Sequence, residues 1–309
     1  MKFSSCFFYA GKFVSCKNLN ENKTNIQPDT SLSGTIVLVE AKSIRMNKNN
    51  WNFYAMEALA IAGFMLSAAF TSIFLEHPDS PIAQTQLAVH PVWRNIILGL
   101  VMGVYIFAIA TAIGKLSGAH ANPTLTLAFF RLKKIAFVEV CAYLAAQFLA
   151  AIATILLLTL TMGKLFANPL IDYSITKPKP GHSLGASYIA EFIISFIFVI
   201  VTLFVLSSKK LEKYNALIAG ILIASFLIFE LRYSGMSMNP ARSFASALVA
   251  WKWQGLWIYF VAPIFAMLLA TEIFKFWQKS LGIDADGKPV TTNQLFGSTV
   301  ISNFPSKEK

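Results

Sequence analysis

The chain has 309 residues, of which 56% are hydrophobic and 13% are charged, and its mean hydropathy is +0.58. Soluble domains carry about 25% charged residues, so this composition excludes an ordinary soluble protein and indicates a membrane protein. The formal net charge of +11 does not predict a nucleic-acid partner, because basic residues of membrane proteins concentrate in cytoplasmic loops. Three cysteines without metal-ligand spacing, Cys6, Cys16 and Cys141, predict no disulfide, metal or cofactor.

The N-terminal residues 1–50 are polar, rich in Asn and Lys and without clear period, which predicts a disordered or weakly ordered extension. They contain no sustained apolar run and no small-residue cleavage site, so they do not predict a signal peptide. Met46 lies just before the first apolar segment and is a second candidate for the start of translation.

Six apolar segments follow, each near the length of about 20 residues that a helix needs to span a bilayer. The first and fourth each open with one carboxylate, Glu57 and Glu191. The segments predict a membrane domain over residues 51–278, followed by a solvated tail at 279–309. The predicted spans are residues 53–75, 95–113, 135–160, 187–206, 216–231 and 256–274.

Two further apolar stretches, residues 119–130 and 236–250, are too short to cross a bilayer. Each contains Asn-Pro preceded by a Ser-Gly segment, in "SGAHANP" and "SGMSMNP". Asn is a good helix N-cap, and Pro suits the first helical position. A helix of about ten residues covers about 15 Å, half of a hydrocarbon core of about 30 Å. The stretches therefore predict two re-entrant half-helices, each preceded by a non-helical segment that is buried in protein or lines a water-filled cavity.

Basic residues lie in alternate loops and predict the orientation, because such residues mark the cytoplasmic side. Both termini are then cytoplasmic, and the expected location is a plasma (inner) membrane. The linkers "EHPDSP" and "KPKPGHS" face the opposite side. The cytoplasmic basic residues are Arg45, Lys48, Arg131, Lys133, Lys134, Lys209, Lys210, Lys213, Lys275 and Lys279.

The chain contains an inverted repeat, over about residues 51–161 and 184–278. The two Asn-Pro sites are 239 − 122 = 117 residues apart, and three spans per half turn the second half upside down. The N-termini of the half-helices then meet at mid-depth. Each carries roughly half a positive charge, so together they form a barrier to cations and protons.

A path between these N-termini suits a small neutral molecule that forms hydrogen bonds. The amides of Asn122 and Asn239 offer donors, and carbonyls of the non-helical segments offer acceptors. The predicted pore carbonyls are those of Gly118, Ala119, His120, Gly235 and Ser237.

These motifs resemble the aquaporin (major intrinsic protein) family over residues 51–278. The second Asn-Pro-Ala box is intact (Asn239, Pro240, Ala241), whereas the first is atypical and reads Asn122, Pro123, Thr124. "SGAH", "YLAAQ", "WIYFVAP", Glu57 and Glu191 also match. The resemblance, which is to a bacterial-like water channel, implies an all-α membrane protein with six transmembrane helices and two re-entrant half-helices. It also implies no enzyme activity, no cofactor, and a homotetramer in the lipid bilayer.

The resemblance further implies a four-residue selectivity filter on the extracellular side, at Met102, Leu227, Met236 and Arg242. Water-selective members usually place an aromatic residue and a histidine at the first two positions, and glycerol-conducting members place two aromatic residues and a glycine in the filter. This chain has neither set, and its Met102, Leu227 and Met236 either line the filter or are only packing residues. Its Ser243, Ala247 and Tyr259-Phe260 resemble the water channels.

Several polar residues allow two interpretations. Glu57 and Glu191 either anchor the backbone of the re-entrant loops or relay protons, and we favour the anchor. His120 either gates by protonation or is structural, and we favour the structural role. Thr124 either packs against the opposing box or shapes the pore, and we favour the packing role. Glu230 and Arg232 either pair with each other or reach the interface, and no function is assigned to them.

The sequence therefore predicts a passive channel for water that excludes protons and ions. The closest alternative is a channel for other small neutral solutes, such as glycerol, hydrogen peroxide or ammonia. An ion-coupled secondary transporter and a structural or adhesive membrane protein are further alternatives. A nucleophile–base set and a nucleotide fingerprint are both missing, so an intramembrane enzyme is not expected.

Overall fold

Six long and two short α-helices make up most of the described part of the chain, which in this computed structural model comprises residues 51–85 and 89–281. The predictions for residues 1–50 and for nearly all of the polar tail lie outside the described residues. Short 3-10 turns occur at Asp172–Ser174 and Glu212–Tyr214. The helices are α1 (Trp51–Glu76), α2 (Pro91–Ser117), α3 (Pro123–Arg131), α4 (Phe137–Met162), α5 (Leu184–Ser207), α6 (Asn215–Phe229), α7 (Pro240–Ala250) and α8 (Ile258–Ser280).

The six long helices, with α6 taken together with the preceding 3-10 turn as Glu212–Phe229, are long and apolar enough to cross a membrane, and the predicted fold class is confirmed. The helices extend past several of the predicted segments. Helix α2, for example, also includes Arg94 and Lys115. The predicted segment stopped short of both because a charged residue near the end of a span lowers the local hydropathy without breaking the helix. Helix α8 continues to Ser280, so its last turn includes the predicted start of the tail at residue 279.

The two halves pack in a pseudo-symmetric way. Helix α1 packs against α4 in the first half, and α5 packs against α8 in the second. Each half-helix also contacts the last helix of the other half, α3 against α8 and α7 against α4. The two half-helices are therefore held between the halves.

Helices α2 and α6 approach each other closely. A Cβ on Gly103 would lie 2.7 Å from the carbonyl oxygen of Gly220, and a Cβ on Gly220 would lie 2.6 Å from that of Gly103. Small residues permit such close helix packing in membranes. This contact brings Met102 of α2 and Leu227 of α6 into one apolar cluster.

The outer surface of the helices is apolar, with exposed leucines such as Leu59, Leu149 and Leu160. This is expected where the solvent is lipid. Exposed tryptophans lie at helix ends and in the adjoining loops, where aromatic residues are enriched at the membrane–water interfaces. They are Trp51, Trp93, Trp251, Trp253 and Trp257.

Candidate pore between the two half-helices

Each half-helix is capped by the asparagine of its box. The Oδ1 atom of Asn122 accepts the N–H of Thr124 at 2.9 Å. The Oδ1 atom of Asn239 accepts the N–H groups of Ala241 at 3.1 Å and Arg242 at 3.3 Å. The following proline supplies the first helical residue in both cases. The local chemistry of Asn-Pro therefore determines where each half-helix begins.

The two boxes contact each other directly and reciprocally. The Asn122 amide donates to the carbonyl of Met238 at 2.9 Å, and the Asn239 amide donates to the carbonyl of Ala121 at 2.7 Å. The hydroxyl of Thr124 also donates to the Met238 carbonyl, at 3.3 Å. An asparagine amide carries two N–H donors, so each amide keeps a second hydrogen for another acceptor.

The first re-entrant loop, residues 118–121, is bound by Glu57, which is fully buried. Its carboxylate accepts the N–H groups of His120 at 2.9 Å and Ala121 at 2.6 Å. It also accepts the side-chain amide of Gln147 at 2.9 Å. Buried N–H groups outside a helix need such acceptors, so the carboxylate compensates for the loss of helical hydrogen bonds.

The second re-entrant loop, residues 235–238, is bound in the same way by Glu191, which is also fully buried. Its carboxylate accepts the N–H groups of Ser237 at 2.7 Å and Met238 at 2.8 Å. The hydroxyl of Ser234 donates to it at 2.7 Å. Glu57 and Glu191 thus bind equivalent N–H groups in the two halves.

Two buried tyrosines hold the residues that directly precede these loops, and the sequence reasoning assigned them no such role. The hydroxyl of Tyr143 donates to the Ser117 carbonyl at 2.8 Å, and that of Tyr259 donates to the Ser234 carbonyl at 2.5 Å. The signal that could have identified them is their matching position, 143 − 122 = 21 and 259 − 239 = 20 residues after the boxes.

The backbone of the two re-entrant loops passes repeatedly through left-handed conformations. The non-glycine residues Ala119, Ala121, Met236 and Met238 all have φ between 45° and 55°. Such conformations are unfavourable for residues with a Cβ and occur where the surroundings enforce them. Within residues 51–85 and 89–281, no group donates a hydrogen bond to the five predicted pore carbonyls, which are those of Gly118, Ala119, His120, Gly235 and Ser237.

Arg242 of α7 is partly buried at the predicted filter. Its Nη1 atom donates to the carbonyl of Met236 at 2.8 Å and to the hydroxyl of Thr176 at 2.7 Å. Its Nε and Nη2 atoms donate to no acceptor in the described part of the chain. A guanidinium carries five N–H donors, so three of them can serve a passing solute.

The three apolar filter candidates share one core cluster. Met102, Leu227 and Met236 are only 1%, 3% and 1% exposed, so all three side chains are packed against neighbouring residues. The ring of Phe64, a residue that the sequence reasoning did not identify, lies 6.0 Å from the guanidinium carbon of Arg242. No motif marks this position on α1.

The His120 side chain makes structural contacts. Its ring stacks on that of Phe129 with centroids 4.8 Å apart, and its Nδ1 lies 3.1 Å from the Thr126 hydroxyl. Phe129 and Thr126 both belong to α3. The ring therefore packs the first re-entrant loop against its own half-helix.

Glu230 and Arg232 do not form an ion pair with each other in the described structure. One Glu230 oxygen accepts the N–H of Ser234 at 3.2 Å. The guanidinium of the exposed Arg232 lies 5.0 Å from the ring centroid of Tyr233. The mutual ion pair, which was one of the two interpretations of these residues, is therefore not found in the described structure.

Gly235 is needed for conformation and for space. Its φ is +89°, and a Cβ would lie 2.9 Å from the carbonyl oxygen of Lys177. We expect Gly235→Ala to lower the free energy of unfolding by about 2–3 kcal/mol, from a strained φ together with a backbone clash. The measurement is the unfolding midpoint of the purified protein in detergent.

Gly181→Ala is the matched control for this substitution. Gly181 has a φ of +87°, but no atom lies within 4 Å of its added Cβ. It therefore carries only the cost of the left-handed conformation, about 1 kcal/mol. Equal losses in the two variants would show that the contact with Lys177 has no energetic weight.

Comparisons with known proteins agree with this geometry. The family model described as major intrinsic protein matches residues 36–274. The chain is 30% identical to aquaporin-4 of Bos taurus over 228 residues, covering 73% of this chain and 67% of the relative. It is 32% identical to aquaporin NIP2-1 of Oryza sativa subsp. japonica over 211 residues, covering 68% and 67%.

A solved structure has the same fold. The aquaglyceroporin of Plasmodium falciparum superposes with a TM-score of 0.60 at 19% identity, over 73% of this chain and 96% of that chain. At this identity the likeness concerns the fold alone. The family model covers most of the chain, and the described helices share the fold. The protein is therefore a multi-pass membrane protein that belongs to the major intrinsic protein family, whose members are channels for water or small neutral solutes and not enzymes.

Proposed function

We propose that this chain is a passive water channel that excludes protons and ions. The observation that carries the proposal is the pair of reciprocal hydrogen bonds between the boxes, from Asn122 to Met238 and from Asn239 to Ala121. These bonds bring two helix N-termini to one point. Their combined partial positive charge repels cations and protons there.

The polar groups around this point suit a water molecule. Three N–H groups of Arg242, one hydrogen of each box amide and five backbone carbonyls have no partner within the described residues. Water both donates and accepts, so it can exchange its hydrogen bonds for these along the path. A cation would find the carbonyls but would also meet Arg242 and the two half-helix N-termini.

The apolar filter candidates Met102, Leu227 and Met236 are bulky side chains packed in one cluster, which supports a narrow filter and therefore water rather than larger solutes. The filter contains no histidine, and methionine is flexible. For this reason a channel for glycerol, hydrogen peroxide or ammonia is the alternative.

A secondary transporter is the weaker proposal. Its coupling-ion site would need free carboxylates. Glu57 and Glu191, the two carboxylates that bind the re-entrant loops, are each occupied by two backbone N–H groups, so neither is free to bind an ion.

We also propose that both termini face the cytoplasm of a plasma (inner) membrane, as the basic loops indicate. A homotetramer with one pore per subunit is proposed by analogy with the family. The polar N-terminal extension at residues 1–50 and the polar tail that follows the end of α8 at Ser280 are proposed to lie outside the channel domain.

The experiment that tests the function uses the purified full-length chain in liposomes. Shrinkage is followed first in a gradient of an impermeant solute and then in a glycerol gradient. We expect water permeability above that of empty liposomes, with little glycerol uptake. Water permeability equal to that of empty liposomes would contradict the proposal, glycerol uptake would support the alternative, and saturable ion-coupled uptake would indicate a transporter.

A further inference from the structure

The loop between α4 and α5 lies across the filter. The Thr176 hydroxyl of this loop accepts a hydrogen bond from Arg242 at 2.7 Å. Three residues later, the N–H of Lys179 donates to the carbonyl of Tyr233 at 3.2 Å. The backbone of Lys177 lies against Gly235. Residues 175–179 therefore cover the segment that leads into the second box.

The carboxylate of Asp172 connects this loop to the end of α7 through two ion pairs. Asp172 binds the ammonium group of Lys177 at 2.6 Å and that of Lys252 at 2.5 Å. Lys177 belongs to the covering segment, whereas Lys252 lies just beyond the end of α7. Since α7 carries Arg242 in its first turn, Asp172 ties the loop to the same half-helix that presents the guanidinium.

The backbone at this carboxylate adopts an unfavourable conformation. Asp172, Tyr173 and Ser174 have φ values of 47°, 55° and 51°, and three consecutive left-handed residues with side chains need compensation from their surroundings. Burial raises the pKa of Asp172, but hydrogen bonds from Lys177 and Lys252 outweigh it and hold this pKa below its ordinary value. The carboxylate is therefore charged at neutral pH and binds both lysines.

We propose that Asp172 is a positioning residue for solute selection, which holds Thr176 against Arg242 and thereby fixes the width of the filter. This inference rests on the proposed channel function. Without the Thr176 bond, the Arg242 guanidinium keeps one hydrogen bond within the described residues, to the Met236 carbonyl. The guanidinium then occupies a wider range of positions, and larger solutes pass more often.

The test compares Asp172→Asn, Thr176→Val and the double variant in liposomes. One hydrogen bond contributes about 1 kcal/mol, so we expect each single variant to raise the ratio of glycerol to water permeability about fivefold. The double variant should show no further increase, because Asp172 acts through Thr176. A further fivefold increase in the double variant, or an unchanged ratio in either single variant, would overturn the proposal.

Glu272→Gln is the matched control. Glu272 binds Arg131 at 2.6 Å and Lys275 at 3.0 Å. Like Asp172 it is one carboxylate with two cationic partners, but it lies on α8, away from the filter. The permeability ratio of this variant should equal that of the wild type. A rise as large as that of Asp172→Asn would mean that any lost ion pair loosens the channel, and it would overturn the proposal.

Hydrogen exchange of the purified protein gives a second measurement that does not need conduction. Asp172→Asn should speed exchange in residues 175–179, and Glu272→Gln should not. If the wild type fails to conduct, the proposed function fails while the positioning of the loop is still judged by exchange. Unchanged exchange in Asp172→Asn would overturn the inference, whatever the permeability.

Discussion

Replacing Arg242 by valine is expected to raise glycerol permeability at least about tenfold, while water permeability is retained. The substitution removes the only charged side chain among the four filter candidates and leaves Met102, Leu227 and Met236 around a wider opening. A difference of one methylene in a pocket changes the discrimination between two substrates by about ten- to two-hundredfold. The measurement is liposome shrinkage in a glycerol gradient, normalised to water permeability.

Arg232→Val is the control for this prediction. Arg232 is exposed, lies in the loop that precedes α7 and stacks on Tyr233 without contacting the filter. Its removal lowers the net charge by the same amount, so this variant shows any effect of the lost charge alone. If Arg242→Val and Arg232→Val give the same solute selectivity, the assignment of the constriction to Arg242 is wrong.

The second large effect is expected from Glu191→Ala. This change leaves the N–H groups of Ser237 and Met238 and the hydroxyl of Ser234 without their acceptor in a buried site. A buried polar group that loses its partner costs about 1–3 kcal/mol, so we expect a loss of about 3–5 kcal/mol in the free energy of unfolding. Denaturant or thermal unfolding of the purified protein measures it.

Glu272→Ala is the comparison for Glu191→Ala. The Glu272 side chain is about half exposed and has two cationic partners, Arg131 and Lys275. Exposed ion pairs contribute about 0–1 kcal/mol, so this variant should unfold close to the wild type. If Glu191→Ala lowered the free energy of unfolding as little as Glu272→Ala does, this would contradict the role of Glu191 as the anchor of the second re-entrant loop.

The repeat explains why both anchors are carboxylates. Glu57 and Glu191 each accept two consecutive N–H groups, those of His120 and Ala121 in the first half and of Ser237 and Met238 in the second. These four N–H groups lie outside the helices and form no helical hydrogen bond, and each points at one of the two carboxylates. A charged acceptor with two oxygens satisfies both at once, which is why one residue type suits both places.

Much of the fold could be predicted from the sequence because its signals are local. Hydropathy marks the six spans, and a bilayer imposes their length. Asn-Pro identifies the starts of the half-helices at Pro123 and Pro240, since capping depends on neighbouring residues only. The predicted helix ends are less accurate, as in α2 and α8, because polar residues near the ends lower the local hydropathy although the helix continues.

The sequence alone thus determined the spans, the half-helices and their inverted order, together with the residues at the boxes. Only the tertiary structure placed Thr176 on Arg242, Asp172 between two lysines, and the hydroxyls of Tyr143 and Tyr259 beside the re-entrant loops. It also left Glu230 and Arg232 apart. Hydropathy and capping are read from neighbouring residues, whereas these contacts join residues from separate loops and helices, and only the packing of the two halves brings them together.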